Sequence, residues 1–123
     1  MRFLIVDDSA TMRRIVVNSL AKLGYTDCVQ AEDGRDALAK FDTSVNVVIT
    51  DWNMPRMSGT ELAAALRARP DGQSVPILMV TARSERDDIV EALAAGVNNY
   101  IVKPFTPQVL KEKIDGLVPA GAA

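Results

Sequence analysis

Apolar residues along the chain fall into two alternating rhythms, short unbroken runs and stripes at helical spacing. Phe3-Leu4-Ile5-Val6 is an unbroken run that stops at two aspartates, the pattern of a strand buried on both faces. Met12, Ile15, Val16, Leu20 and Leu23 then recur with helical spacing, and Gly24 supplies the stop. Cys28 to Ala31 reads as a second strand, and Ala37, Leu38 and Phe41 as a brief second helix. Val45 to Thr50 is the strongest β run and ends on Asp51. A loop from Trp52 to Gly59 leads into a helix carrying Leu62 and Leu66, and Arg69-Pro70-Asp71-Gly72 is turn chemistry. Val75 to Thr81 predicts a fourth strand, while Ile89, Val90 and Leu93 mark a fourth helix that Gly96 ends. Tyr100 to Val102 predicts a fifth strand, ending at Lys103-Pro104. The last helix opens with Thr106 as its cap and Pro107 in its first turn, and is expected to bury Val109, Leu110, Ile114 and Leu117.

Five strands alternating strictly with five helices predict an α/β fold, a doubly wound parallel sheet with helices on both faces and right-handed crossovers. The expectation is one domain over residues 1–118, a short frayed tail at 119–123 and no output domain. The N-terminal apolar run is too short for a signal or membrane-spanning segment, so a cytoplasmic protein is expected.

Composition narrows the chemistry. Hydrophobic residues at 48% and charged residues at 24% describe an ordinary globular domain. A net charge of −2 and a pI near 5.1 lack the basic stripe of a nucleic-acid binder. The chain has no histidine, which removes imidazole acid–base chemistry, Ser-His-Asp triads and His-ligated zinc together. The single cysteine, Cys28, excludes an internal disulfide and is expected to be an inert buried thiol.

The remaining polar residues collect at strand ends. Asp7 and Asp8 follow the first strand, Asp51 and Thr81 end the third and fourth, and Lys103 follows the fifth. Taken singly each has a bland reading: Asp8 or Ser9 could cap a helix, Asp51 could open a turn, and Lys103 could be a solvated loop residue. In a parallel sheet, however, these ends share one edge, where open α/β folds place their sites. Three carboxylates brought together repel one another, and a hard divalent cation with oxygen ligands, magnesium above all, relieves this. Lys103 adds a second positive charge, delivered by a long side chain on a loop that bends inward. A cation beside an ammonium suits an incoming phosphoryl group.

Val6-Asp7-Asp8, Thr11-Met12-Arg13-Arg14-Ile15-Val16, Ala31-Glu32-Asp33-Gly34, Asp51-Trp52-Asn53-Met54-Pro55, Leu78-Met79-Val80-Thr81-Ala82 and Val102-Lys103-Pro104-Phe105-Thr106 span nearly the whole chain. Through these segments it resembles the receiver domain of two-component response regulators, and among them the single-domain chemotaxis regulators. The resemblance implies a flavodoxin-like strand order 2-1-3-4-5. It implies Asp51 as the phosphorylated aspartate, Asp8 as a direct metal ligand and Asp7 as one acting through water. Asn53 would add its backbone carbonyl to the metal shell. Magnesium is the implied ion, with manganese able to substitute. Thr81 matches the hydroxyl that moves to the phosphoryl oxygens, Lys103 the lysine that pairs with them, Tyr100 the switch aromatic, and Gly59 the glycine of the loop beyond the site. Alternation sets Tyr100 opposite to Lys103 in facing. A cis Lys103–Pro104 peptide is expected, since cis costs an X–Pro bond only about 0.5–1 kcal/mol. Ser9, Ser58 and Arg83 depart from the family pattern at positions that bear on the lifetime of an acyl phosphate.

The expected function is therefore a monomeric signalling switch rather than an enzyme, assisting only its own phosphorylation and dephosphorylation. It would take a phosphoryl group from a histidine kinase onto Asp51 and act on the flagellar motor switch through the fourth helix, fifth strand and fifth helix. A phosphorelay intermediate or phosphate sink, bound to a phosphotransfer protein, is the alternative. A hydrolytic phosphatase with an aspartate nucleophile fits less well, because Asn53 stands where its second acid would be.

Overall fold

A computed structural model describes residues 1–117, so the tail expected at 119–123 lies outside the described residues. The strands are β1 (Arg2–Val6), β2 (Asp27–Ala31), β3 (Val47–Asp51), β4 (Ile77–Thr81) and β5 (Asn99–Val102). They alternate with helices α1 (Ala10–Lys22), α2 (Gly34–Lys40), α3 (Gly59–Arg67), α4 (Arg86–Ala94) and α5 (Pro107–Leu117). The Arg69–Gly72 turn carries one turn of 3-10 helix, Pro70–Gly72. All neighbouring strands pair in parallel, in the order β2-β1-β3-β4-β5.

Period-two alternation divides the core into two layers. Leu4, Val6, Val48, Ile77 and Met79 point to the side covered by α2, α3 and α4, where Trp52, Leu62 and Leu66 also pack. Phe3, Ile5, Val47, Ile49, Leu78 and Val80 point to the other side, against Val16 and Leu20 of α1 and Leu110 and Ile114 of α5. The unbroken apolar runs of β1, β3 and β4 follow from their central places, each covered on both faces.

Several apolar residues do not take the inward places their spacing suggested. Ile15 of α1 is 44% exposed, Val90 and Leu93 of α4 are 57% and 48% exposed, and Val109 of α5 is 36% exposed. Leu117 is half-buried. Cys28 is also half-buried, at the edge strand β2, although burial followed by the nearby Asp27 still pushes its thiol pKa up, away from the reactive thiolate. The cause is common to these positions: edge strands and the outer flanks of a helix contact only one neighbour within the chain.

Helix ends are set by specific side chains. Ser9 Oγ accepts from the Met12 N–H at α1, and Thr106 Oγ1 accepts from the Val109 N–H at α5. Gly24 adopts φ +92 just past the end of α1, where an L side chain is disfavoured. Asp33 is 2% exposed, accepts from the Asp36 N–H as the N-cap of α2, and receives Arg56 Nε at 2.7 Å. The backbone hydrogen bond from Asp36, and after it the Arg56 side chain, hold the Asp33 carboxyl below its ordinary value of 3.8.

Replacing Asp33 by Ala is expected to lower stability at neutral pH by about 1–2 kcal/mol, from the lost cap and ion pair. Because the folded pKa is depressed, that contribution is complete above 3.8 and is lost as pH falls below it. The stability gap between wild type and Asp33→Ala, read by urea unfolding, should close on acidification over that range; a gap that persists unchanged would refute the assignment.

Candidate functional site

The register of the sheet assembles the site. Val6 lies opposite Thr50, Asp51 opposite Val80, and Thr81 opposite Val102, so the residues that follow these strands emerge side by side. Asp7 continues β1, and its carboxylate accepts from the Ser9 N–H at 2.9 Å. Arg13 Nη1 donates to the Asp7 carbonyl oxygen at 2.6 Å, tying α1 to the same corner. Asp51 Oδ1 accepts from the Trp52 N–H at 2.8 Å. Thr50 Oγ1 donates to the Asp51 carbonyl at 2.9 Å.

Lys103 reaches back as its loop position required. Its N–H donates to the Thr81 carbonyl at 2.9 Å, and its Nζ lies 3.3 Å from Asp51 Oδ1 and 3.7 Å from Asp7 Oδ2. The following peptide, Lys103–Pro104, is cis, as expected. Thr81 is 3% exposed, and its Oγ1 accepts from the Arg83 N–H at 3.0 Å. Tyr100 is half-buried against the α2–α3–α4 layer, with Lys113 Nζ 5.5 Å from its ring centre.

Asp7, Asp8 and Asp51 each offer a carboxylate oxygen, and these oxygens all lie within 4.8 Å of one another. Asp7 is buried, Asp51 partly so and Asp8 exposed. Burial is the leading cause that raises the Asp7 pKa above 3.8; the Asp51 and Asp8 charges add to it, while the Ser9 N–H and Lys103 oppose it. Three carboxylates against one ammonium leave an excess of negative charge on hard oxygen donors. That donor set fits a hard divalent cation such as magnesium and suits soft metals poorly.

Gly59 explains its own identity. A Cβ there would sit 2.1 Å from the Asp51 carbonyl oxygen, and the Gly59 N–H donates to the Trp52 carbonyl at 2.8 Å. Only glycine lets α3 start this close to the strand that carries Asp51.

Two features went unread in the sequence. Ser58 caps α3 in a reciprocal capping box with Glu61, a role advertised by the Ser-x-x-Glu spacing. Arg83 covers the Trp52 ring and donates to Asn53 Oδ1 at 2.7 Å, which no local pattern announces. The Asn53 side-chain oxygen is thus engaged by Arg83.

Residues 3–115 match the response regulator receiver domain. The chain belongs to the response regulator receiver family. It is 52% identical to "Chemotaxis protein CheY1" of Helicobacter pylori over 117 residues, 94% of each chain. It is 53% identical to "Chemotaxis protein CheY" of Pseudomonas aeruginosa over 116 residues, again 94% of each. The solved structure of the chemotaxis response regulator CheY4 of Vibrio cholerae superposes with a TM-score of 0.86 at 36% identity, covering 95% of this chain and 98% of that one. Likeness at this level over nearly the whole chain supports a chemotaxis response regulator of a two-component system.

The acid cluster should cost stability when no cation is present. A carboxyl whose folded pKa is raised stabilises the fold only below its ordinary value, and that contribution is lost as pH rises through the folded value. Asp7→Asn, which can keep the bond from the Ser9 N–H, is therefore expected to raise the neutral-pH melting temperature by about 3–8 °C in chelator. The same variant should lose most of the thermal stabilisation that magnesium gives wild type. A lower melting temperature in chelator, or an undiminished magnesium effect, would count against this account of the cluster.

Proposed function

We propose that Asp51 accepts a phosphoryl group from a histidine kinase, with magnesium held by Asp7, Asp8, Asp51 and the Asn53 backbone carbonyl. The observation that carries this reading is the Lys103 ammonium, drawn from the far edge of the sheet to 3.3 Å from Asp51 Oδ1 in the middle of the acid cluster. When bound, the cation supplies charge neutralisation for the phosphoryl oxygens. An Asp51 carboxylate oxygen forms the new O–P bond while the P–N bond of the donor phosphohistidine breaks. The imidazole leaves with the electron pair and is protonated from solvent. Lys103 pairs with the transferred oxygens, and the Trp52 N–H orients the attacking carboxylate. Hydrolysis of the acyl phosphate by water resets the site, so the domain assists its own turnover without acting on any other substrate.

The output reading rests on Thr81 and Tyr100. The Thr81 hydroxyl would turn toward the phosphoryl oxygens, and Tyr100, on the adjoining strand, would repack inward. Val90 and Leu93 of α4, Val102 of β5 and Val109 of α5 are exposed apolar residues on the three elements that this reading assigns to the output, β5 also carrying Tyr100 and α5 Lys113, whose Nζ stands 5.5 Å from the Tyr100 ring. We assign that set to the partner, a flagellar motor switch protein, bound by a monomer of this chain in the cytoplasm. Among the described residues, no helix is long and apolar enough to cross a membrane.

Asp51→Asn is expected to abolish labelling by phosphorylated kinase and by acetyl phosphate, because the amide is no nucleophile; full labelling of that variant would place the acceptor elsewhere. Thr81→Ala and Tyr100→Ala should each keep a phosphorylated Asp51 yet lose most of the phosphorylation-dependent gain in binding to the motor switch protein. Normal phosphorylation-dependent binding in either variant would rule out the threonine–tyrosine coupling.

A further inference from the structure

Arg83 lies two residues past Thr81, in the loop between β4 and α4, and makes contacts in three directions. Its N–H donates to Thr81 Oγ1 at 3.0 Å. Its guanidinium carbon sits 4.2 Å from the centre of the Trp52 ring, and Nη2 donates to Asn53 Oδ1 at 2.7 Å. Nη1 stands 3.5 Å from Asp88 Oδ1, in the first turn of α4. One residue thus touches the switch hydroxyl, the loop that follows the acceptor aspartate, and the start of the helix that bears Val90 and Leu93. A planar guanidinium can stack on an indole while donating in its plane to two separate acceptors, which an ammonium cannot do. A solvated loop arginine would show none of these contacts, and none of them is used in the proposed transfer of the phosphoryl group to Asp51.

Resting on the reading of Asp51 as the acceptor, we propose that Arg83 is a positioning residue that latches α4 to the Trp52–Asn53 loop in the unphosphorylated state. Movement of Thr81 releases the latch. The Thr81 hydroxyl receives the Arg83 N–H at 3.0 Å, so turning it toward a phosphoryl oxygen breaks that bond and lets the Arg83 backbone shift. The contacts to Trp52, Asn53 and Asp88 all hang from that backbone. α4 has Ala92 as its one fully buried residue and Ile89 partly buried, and the Arg67 bonds to the Gly96 carbonyl hold its far end, so its first turn is the part that Arg83 restrains. The side chain therefore converts a change at Thr81 into a change at the first turn of the helix, in parallel with any repacking of Tyr100.

The test uses the full chain as wild type, Arg83→Ala and Arg83→Lys, with magnesium and beryllium trifluoride as the phosphoryl mimic. Fluorine NMR reads occupancy of Asp51, amide hydrogen exchange reads α4, and Trp52 emission reads the indole contact. Wild type is expected to take up the mimic, to exchange faster over residues 86–94 on doing so, and to change its Trp52 emission. Arg83→Ala should take up the mimic equally well, yet exchange about threefold or more faster over α4 before it is added, with little further change afterwards. Arg83→Lys should behave like Arg83→Ala, because it keeps the charge and loses the bridge. The latch is overturned if Arg83→Ala shows wild-type exchange at rest and a wild-type response to the mimic. It is also overturned if Arg83→Lys responds like wild type, which would make charge alone sufficient. Failure of wild type to take up the mimic would instead sink the acceptor reading, and the latch with it.

Discussion

Mutual repulsion among Asp7, Asp8 and Asp51 is the constraint around which this domain is arranged. Carboxylate oxygens no more than 4.8 Å apart repel by about 3.5 kcal/mol or more at an effective dielectric of about 20. Asp8 is exposed and screened by water, while Asp7 is buried; its pKa is raised by burial first and by the Asp51 and Asp8 charges after it. The neighbouring groups are disposed to contain that charge. The Ser9 and Trp52 N–H groups point at Asp7 and Asp51, and Lys103 spans the gap to both. One ammonium cannot balance three carboxylates, so a poised deficit of positive charge remains. A receiver that removed the deficit with a second lysine would be more stable and would have less use for a cation or a phosphoryl group.

Holding like charges together requires a frame that does not yield, and the central strands provide it. Leu4, Ile5, Val48, Ile49, Leu78 and Met79 are essentially inaccessible to solvent, so β1, β3 and β4 are clamped from both faces. Interiors packed this densely transmit strain and do not absorb it. The approach of α3 to Asp51 at Gly59 belongs to the same frame, because a single methyl there would collide with backbone on the strand that bears the acceptor. The polar edge is also closed: among the described residues no buried side-chain nitrogen or oxygen lacks a partner.

Much of this was legible in the sequence, for a physical reason. Unbroken apolar runs ending in Asp7, Asp51 and Thr81, alternating with helical stripes, read as buried parallel strands whose polar ends share an edge, so the sheet class and the candidate site came from one pattern, while the strand order came from the family resemblance. The inward reach of Lys103 followed from the distance it had to cover. What periodicity cannot disclose is whether a stripe finds a partner inside the chain. Ile15, Val90, Leu93 and Val109 sit on helical stripes yet remain partly or largely in solvent, because the sheet covers only the inner part of each stripe. Ser58 was readable as a cap from its spacing to Glu61, but its departure from the family pattern drew attention to kinetics instead. The pairings of Asp33 with Arg56 and of Arg83 with Trp52 and Asn53 span 23 to 31 positions, or meet only through the folded loop, and leave no local trace.

The uneven packing of the helices bears directly on switching. Leu62, Ala63 and Leu66 of α3, and Leu110 and Ile114 of α5, anchor those helices in the two cores. α4 has Ala92 as its one fully buried residue and Ile89 partly buried, while Val90 and Leu93 are exposed. A buried leucine contributes roughly 2 kcal/mol relative to an exposed one, so α4 forgoes several kcal/mol of anchoring that its neighbours enjoy. An element held this lightly has a small free-energy gap between alternative positions, and elements that move in signalling are drawn from that low-stability end. The site itself can then supply enough energy to move it, since a few polar contacts are comparable to what holds α4 in place. On the proposed reading, exposed Val90 and Leu93 on the same helix would give a partner apolar surface to bury, so binding and displacement would act on one element. The rigid acid edge and the lightly held helix are thus complementary: the first holds the charge imbalance, and on the proposed reading the second is the part of the fold that would respond to its relief.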